Sequence, residues 1–216
     1  MTQTLADIWP FDRLRLRTPR LELRPVRDED IAGLVQAALA GVHDPEAMPF
    51  AVPWTRQEPH ELARGTAQHV WLSRANLTRE AWNVSFAIVE DGEIVGRQDI
   101  AADSFADRRT VETGSWLTRS RQGRGLGREM RAGVLLWAFD WLKADYAETA
   151  AMAGNAASRR VSESLGYRPN GTTRHRVAAG EVYDSMLYRL KAAEFVRPDW
   201  ELQVEGQEGI GELLGA

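Results

Sequence analysis

Residues 110 to 143 pass from an alternating segment, through a turn of bare backbone and dense positive charge, into a long amphipathic stretch. This junction restricts the fold more than any other part of the chain. The turn reads "RSRQGRGLGREM" from Arg119 to Met130, with glycines at 123, 125 and 127 and five arginines between Arg119 and Arg131. Before it, "RRTVETGSWLT" alternates as a strand does. After it, Met130, Val134, Trp137 and Trp141 recur at spacings of four, three and four, and Leu135, Ala138 and Leu142 widen the same face, so a helix is predicted over 126–143. The first turn of such a helix presents unpaired N–H groups and about half a positive charge. Glycines let that backbone close on an anion with no Cβ in the way. A pyrophosphate suits the layout, with Arg124 and Arg128 adding charge-assisted bonds and Arg121 reaching in from the rim.

Two familiar phosphate loops are excluded by spacing. A Walker loop needs Gly-Lys-[Ser/Thr] after G-x-x-x-x, whereas Gly123 is followed five places on by Arg128. A dinucleotide fingerprint G-x-G-x-x-G fails from either start, since the sixth position is Arg128 or Met130. What remains is Gln122-x-x-Gly125-x-Gly127 between a strand and a helix.

The rest of the chain reads as strands and helices in one α/β domain. "LRLRTPRLELRPV" alternates Leu with Arg or Glu, a strand or hairpin interrupted at Pro19. Asp28 opens a helix with early acids that closes at Gly41. The prolines of "VHDPEAMPFAVPWT" forbid regular structure and mark a shaped loop, and "EPHELARGTAQHVWLSRANL" returns to helical spacing. In "WNVSFAIVEDGEIVGRQDIAAD" two apolar runs flank Asp91-Gly92, the favoured composition of a tight hairpin turn. "AETAAM" is a short strand, "NAASRRVSESLG" a helix capped by Asn155 and ended by Gly166, and "VYDSMLYRL" a final strand.

Net charge is −4, which argues against nucleic acid as the main partner, although residues 11 to 27 hold six arginines. With no cysteine, disulfides, thiolate metal sites and a cysteine nucleophile are excluded, and a reducing cytoplasmic compartment is expected. The first residues lack a basic signal-peptide region, and "AGVLLWAF" is too short to span a bilayer, so no membrane partner is expected. His43, His60, His69 and His175 show no ligand spacing, so no metal site is expected.

Four stretches in order resemble one family. Q-x-x-G-x-G after a strand resembles the acyl-coenzyme A signature of the GNAT N-acetyltransferases. "VETGSWL", "NAASRRVSESLGYRPNG" and "GEVYDSMLYRL" resemble the motifs around it in the branch that acetylates the N-terminal alanine or serine of ribosomal proteins, and "LRTPRLELRPVRDEDI" resembles its opening. The resemblance covers roughly residues 13 to 190. It implies the GNAT fold: an α/β (α+β) architecture with a central mixed, mostly antiparallel sheet of six to seven strands, splayed in the middle and covered by helices on both faces. One such domain is expected over residues 1–193, with 194–216 as an acidic C-terminal extension. There "WELQVEG" alternates Trp200, Leu202 and Val204 as a short strand able to join a sheet edge of its own chain or of a partner, so a homodimer is an open expectation.

The resemblance also implies the chemistry. Acetyl-CoA, or another acyl-CoA such as succinyl-CoA, would donate its acyl group to a primary amine of a protein N-terminus or a small molecule. Coenzyme A would lie along Trp116, Leu117 and Thr118, and its diphosphate on Gln122, Gly123, Arg124, Gly125, Leu126, Gly127 and Arg128. Asn155 would bind the pantetheine amides and Ser158 the thiol, although both residues also suit a helix cap. Glu112 is the expected general base, on one strand face with Gly114 and Trp116; Glu148 and Asp99 are weaker candidates. Two departures stand out. Ser162 occupies the position of a tyrosine acid common in the wider family, and Ser115 replaces a frequent tyrosine. A non-catalytic acyl-CoA sensor of the same fold is the alternative. The acceptor is expected against the proline-rich loop, where Met48, Phe50 and Trp54 either wall the site or plug the core.

Overall fold

The computed structural model describes residues 3–216. A nine-stranded sheet runs in the order β7-β8-β6-β5-β4-β3-β2-β1-β9. Its strands are β1 (Arg15–Arg17), β2 (Glu22–Pro25), β3 (Ala81–Glu90), β4 (Glu93–Asp103), β5 (Thr110–Leu117), β6 (Tyr146–Met152), β7 (Arg168–Ala178), β8 (Glu181–Lys191) and β9 (Gln203–Glu205). Every neighbouring pair is antiparallel except β5 and β6. The helices are α1 (Leu5–Ile8), α2 (Asp28–Leu39), α3 (Pro59–Ala75), α4 (Phe105–Arg108), α5 (Leu126–Leu136), α6 (Ala156–Ser164) and α7 (Ile210–Leu214).

The sheet divides the core in two. On one face Val111 and Leu117 of β5 pack with Leu126, Met130 and Val134 of α5. On the other, Trp116 packs with Leu34 of α2 and with Leu62 and Val70 of α3. Each large apolar side chain taken fully from water contributes about 1.5–3 kcal/mol, so α5, buried along nearly its whole length, anchors the fold. The β3–β4 turn has positive φ at both Asp91 and Gly92, as a primed turn requires.

The expected mixed sheet and two-sided helical cover are present, with nine strands instead of six or seven. The opening segment splits at Pro19 into the hairpin β1–β2. The stretch after Gly166 forms β7, whose largely exposed residues gave no alternation to detect. The ninth strand comes from the acidic extension: Leu16 faces Val204 across the outer edge of β1. That strand joins its own chain, and Ile210 and Leu214 of α7 are buried in the main core. The predicted helix over 126–143 also changes character, because Trp137–Trp141 form a π-helical turn. The wider turn rotates the residues beyond it, so Trp141 is exposed and Leu142, rather than Trp141, closes the apolar face. No helix of the described residues is long and apolar enough to cross a membrane.

Candidate active site

The parallel pair comes apart in the middle of the sheet. β5 and β6 pair from Thr110 and Tyr146 as far as Thr113 and Thr149, and there the pairing stops. β6 continues against β8 to Met152, while β5 continues against β4 to Leu117. Backbone groups of a strand alternate sides. Thr118 N–H reaches Val95 on the β4 side. Ser115 and Leu117 therefore direct their main-chain groups into the gap. The Leu117 carbonyl is already taken by Gln122 Nε2 at 2.8 Å. That leaves the Ser115 N–H and C=O and the Leu117 N–H as the open edge, in place of the main chain of Trp116 and Thr118. A cavity of about 530 Å3 lies where the β5–β6 pairing ends, lined on one side by Glu112, Gly114 and Glu148 and on the other by Thr113, Thr149 and Tyr188.

At the far end of β5 the glycine turn forms a nest. Gly123 and Gly125 have φ of +73° and +84°, conformations costly for residues with a Cβ, and Gly125 caps α5. The main-chain hydrogen bonds of this turn are made by the amides of Arg121, Gln122, Arg128 and Glu129. Among the described residues the five amides from Gly123 to Gly127 are left without a backbone acceptor, Leu126 and Gly127 because they open a helix. Gln122, expected to touch the ligand, uses its side chain to hold the turn, donating to Val42 O at 2.6 Å as well as to Leu117 O. Arg128 has no carboxylate partner among the described residues. Arg121 and Arg124 share the buried Glu90, at 2.9 and 3.2 Å.

Two residues that sequence reasoning missed complete the nest. Glu129, buried in the first turn of α5, accepts from Thr18 Oγ1 at 2.7 Å, from Arg20 N at 2.9 Å and from Arg20 Nε at 2.7 Å. Arg20 then donates from Nη1 to the Arg124 carbonyl at 3.0 Å. The β1–β2 turn is thereby bolted to the nest. An acid inside a predicted helix and an arginine in a distant hairpin carry no mutual signal in sequence.

On α6, Asn155 Oδ1 accepts from Ser158 N at 3.0 Å, a helix N-cap. The Ser158 hydroxyl makes no hydrogen bond among the described residues, so capping leaves it available to a ligand. Ser162 is fully buried and donates to Ser158 O at 3.1 Å. Tyr167, behind it, is buried against Thr113, and burial pushes its phenol pKa up.

An opened parallel pair beside a nest of free amides is a distinctive arrangement. Residues 20–168 match the family model of the acetyltransferase (GNAT) domain. The chain belongs to the GNAT family. Among solved GNAT-like structures it is similar to Mycobacterium smegmatis RimJ in complex with CoA-disulfide: TM-score 0.71, 27% identity, covering 86% of this chain and 90% of that one. The fold is also that of the ribosomal-protein-S5-alanine acetyltransferase from Vibrio fischeri, with TM-score 0.61, 17% identity and coverage of 87% and 98%. A curated relative, the uncharacterized protein YkkB of Bacillus subtilis (strain 168), is 27% identical over 183 residues, 82% of this chain and 98% of its own length.

On the other face of this GNAT sheet three carboxylates border the gap. Glu112 faces Ala101 on β4 and Glu148 on β6, and Asp99 faces Gly114. Glu148 is paired with Arg189 at 2.6 Å, and Asp99 with Arg97 at 3.0 Å and Ser85 at 2.6 Å. Glu112 alone of the three has no cation or donor among the described residues. The proline-rich loop closes over this face. His43, Phe50, Trp54 and Trp116 form an aromatic file with centroid spacings of 5.7, 5.3 and 5.5 Å. Phe50 and Trp54 are half-buried, so the loop both seals the core at Trp116 and walls the cleft. His69 of α3 lies near Arg97 and Asp99. Burial first, and Arg97 second, lower its pKa, with Asp99 opposing.

Proposed function

We propose that this GNAT protein transfers a short acyl group, acetyl in the first instance, from acyl-coenzyme A to the primary amine of a protein N-terminus. The observation that carries the reading is the continuity of the open β5 edge with the five free amides from Gly123 to Gly127. A diphosphate fits the nest, with Arg128 as the uncommitted cation, and an extended amide chain fits the Ser115–Leu117 edge as a β-strand would. The motifs that resemble the branch acetylating ribosomal-protein N-termini support a protein N-terminus over a small amine, and the carboxylates of the opposite face suit a cationic acceptor.

In this reading the Ser115 or Leu117 N–H polarises the thioester carbonyl and steadies the oxyanion. Glu112, the carboxylate not already committed to a partner, takes the ammonium proton through water. The amine lone pair then forms the C–N bond as the C–S bond breaks. Asn155 presents its amide, and Ser158 its hydroxyl, at the mouth of the gap. The test is thiol release from acetyl-CoA and succinyl-CoA across peptides beginning with alanine or serine and a panel of small amines. Glu112→Gln is expected to lower turnover roughly 10²–10⁴-fold with coenzyme A affinity kept. Tight binding of coenzyme A with no release from any donor to any acceptor would establish a sensor instead.

A further inference from the structure

The least explained side chain among the described residues is Arg131, in the second turn of α5 and only 4% exposed. Its Nη1 donates to Ser162 Oγ at 2.9 Å and its Nη2 to Ser115 Oγ at 3.1 Å. Its Nε has no acceptor among the described residues. No carboxylate of the described residues lies within ion-pair reach, and burial draws its pKa down from the usual guanidinium value. A buried, unpaired cation is costly to a fold. The fold bears that cost at the point where β5 and β6 part.

The two hydroxyls that Arg131 touches differ. Ser162 donates its own proton to Ser158 O, so it is spent. Ser115 accepts from Arg131 and has no acceptor for its proton among the described residues. Ser115 is half-buried, two residues beyond the last β5–β6 pair, on the open edge. It lies three residues from Thr118 at the foot of the nest, roughly 10 Å along a strand. A pantetheine chain that starts at the nest and follows the edge brings its sulfur to this region. This step rests on the acyl-coenzyme A reading of the site.

We propose that Ser115 is the hydrogen-bond donor to the thioester sulfur and that Arg131 is its positioning residue, holding the hydroxyl and supplying the fixed positive charge that the departing thiolate meets. When the C–N bond forms and the C–S bond breaks, the bonding pair goes to sulfur. Glu112 has by then passed the ammonium proton through water to solvent; the second proton, lost from nitrogen as the amide forms, goes to Glu112, and the thiolate departs as an anion that needs no proton from the protein. A tyrosine acid, absent at Ser162, is then unnecessary.

The experiment titrates the thiol of coenzyme A itself, bound to the whole protein, by the ultraviolet absorbance of the thiolate. The bound thiol is expected to titrate about 1–3 pH units below free coenzyme A, as for a group beside one opposite charge. Arg131→Met is expected to abolish the shift, Arg131→Lys to keep part of it, and Ser115→Ala to reduce it with coenzyme A still bound. A purely structural arginine would leave the titration where it is. A bound thiol that titrates with the free compound, or a shift that survives Arg131→Met, overturns the proposal and leaves acyl-coenzyme A binding intact. Failure of coenzyme A to bind at all removes that reading, and this one with it. Should Arg131→Met not fold, the unaltered protein and Ser115→Ala decide the matter.

Discussion

Replacing Glu129 by glutamine tests whether the phosphate nest is held from the N-terminal hairpin. The carboxylate is 7% exposed and its two oxygens have separate duties. Oε1 accepts from Thr18 Oγ1 and Arg20 N, and a glutamine oxygen can still do so. Oε2 accepts from Arg20 Nε at 2.7 Å and Nη2 at 2.6 Å, and a glutamine amide nitrogen there confronts two donors. Two charge-assisted bonds are lost, each worth about 1.5–3 kcal/mol when fully sheltered. The Arg20 side chain is 45% exposed and can return to water, which discounts the sum. The expected loss is about 2–3 kcal/mol, or roughly 4–12 °C in melting temperature for a chain of this size. Because Arg20 also fixes the Arg124 carbonyl, affinity for coenzyme A is expected to fall as well, about tenfold for each 1.4 kcal/mol transmitted. Urea melts give the first number and calorimetry with coenzyme A the second. A double-mutant cycle with Arg20→Met should recover a coupling energy near the single-mutant loss. If stability falls as stated and affinity does not move, the hairpin supports the helix without organising the nest, and the reasoning is refuted.

Gly125→Ala places a Cβ on a residue at φ +84° and 3.4 Å from Arg20 Nη2, so a stability loss of about 1–2 kcal/mol and weaker coenzyme A binding are expected from the same two measurements. His69 loses protons more readily folded than unfolded. Its contribution to stability is therefore complete above its ordinary pKa of 6.5 and declines as pH falls below that value. A melting temperature that drops between about pH 7 and 5, with the drop reduced in His69→Gln, is the expected result.

What could be read from the sequence was whatever the backbone demands locally. Glycines at 123, 125 and 127 between a strand and a helix admit few conformations, and Asp91-Gly92 between apolar runs admits essentially one turn. Partnerships across the sheet were not legible. Gln122 belongs to the right motif, yet only the fold shows that its amide grips Val42 and Leu117. Glu112, Glu148 and Asp99 look alike as letters. Arg189 and Arg97, distant in sequence, set two of them apart from the third. Arg131 did leave a trace: it stands four residues before Leu135 and so extends the row Leu135, Ala138, Leu142 that widens the apolar face of α5. A charge in such a row is a conflict that a soluble helix normally avoids. The π-helical turn of Trp137–Trp141 could not be anticipated from the apolar spacing, which reads as an ordinary α-helix.

The position of β9 has a consequence for biosynthesis. Arg15 pairs with Glu205, and Trp82 Nε1 donates to the Leu214 carbonyl at 3.1 Å. β1 thus waits for a strand about 190 residues further along the chain. Until then its outer edge stays unsatisfied and the hollow that receives Ile210 and Leu214 stays open. Such distant closures are slow and expose sticky surface meanwhile. While the chain is being synthesised, the outer edge of β1 stays open to mispairing until residues 203–214 have emerged.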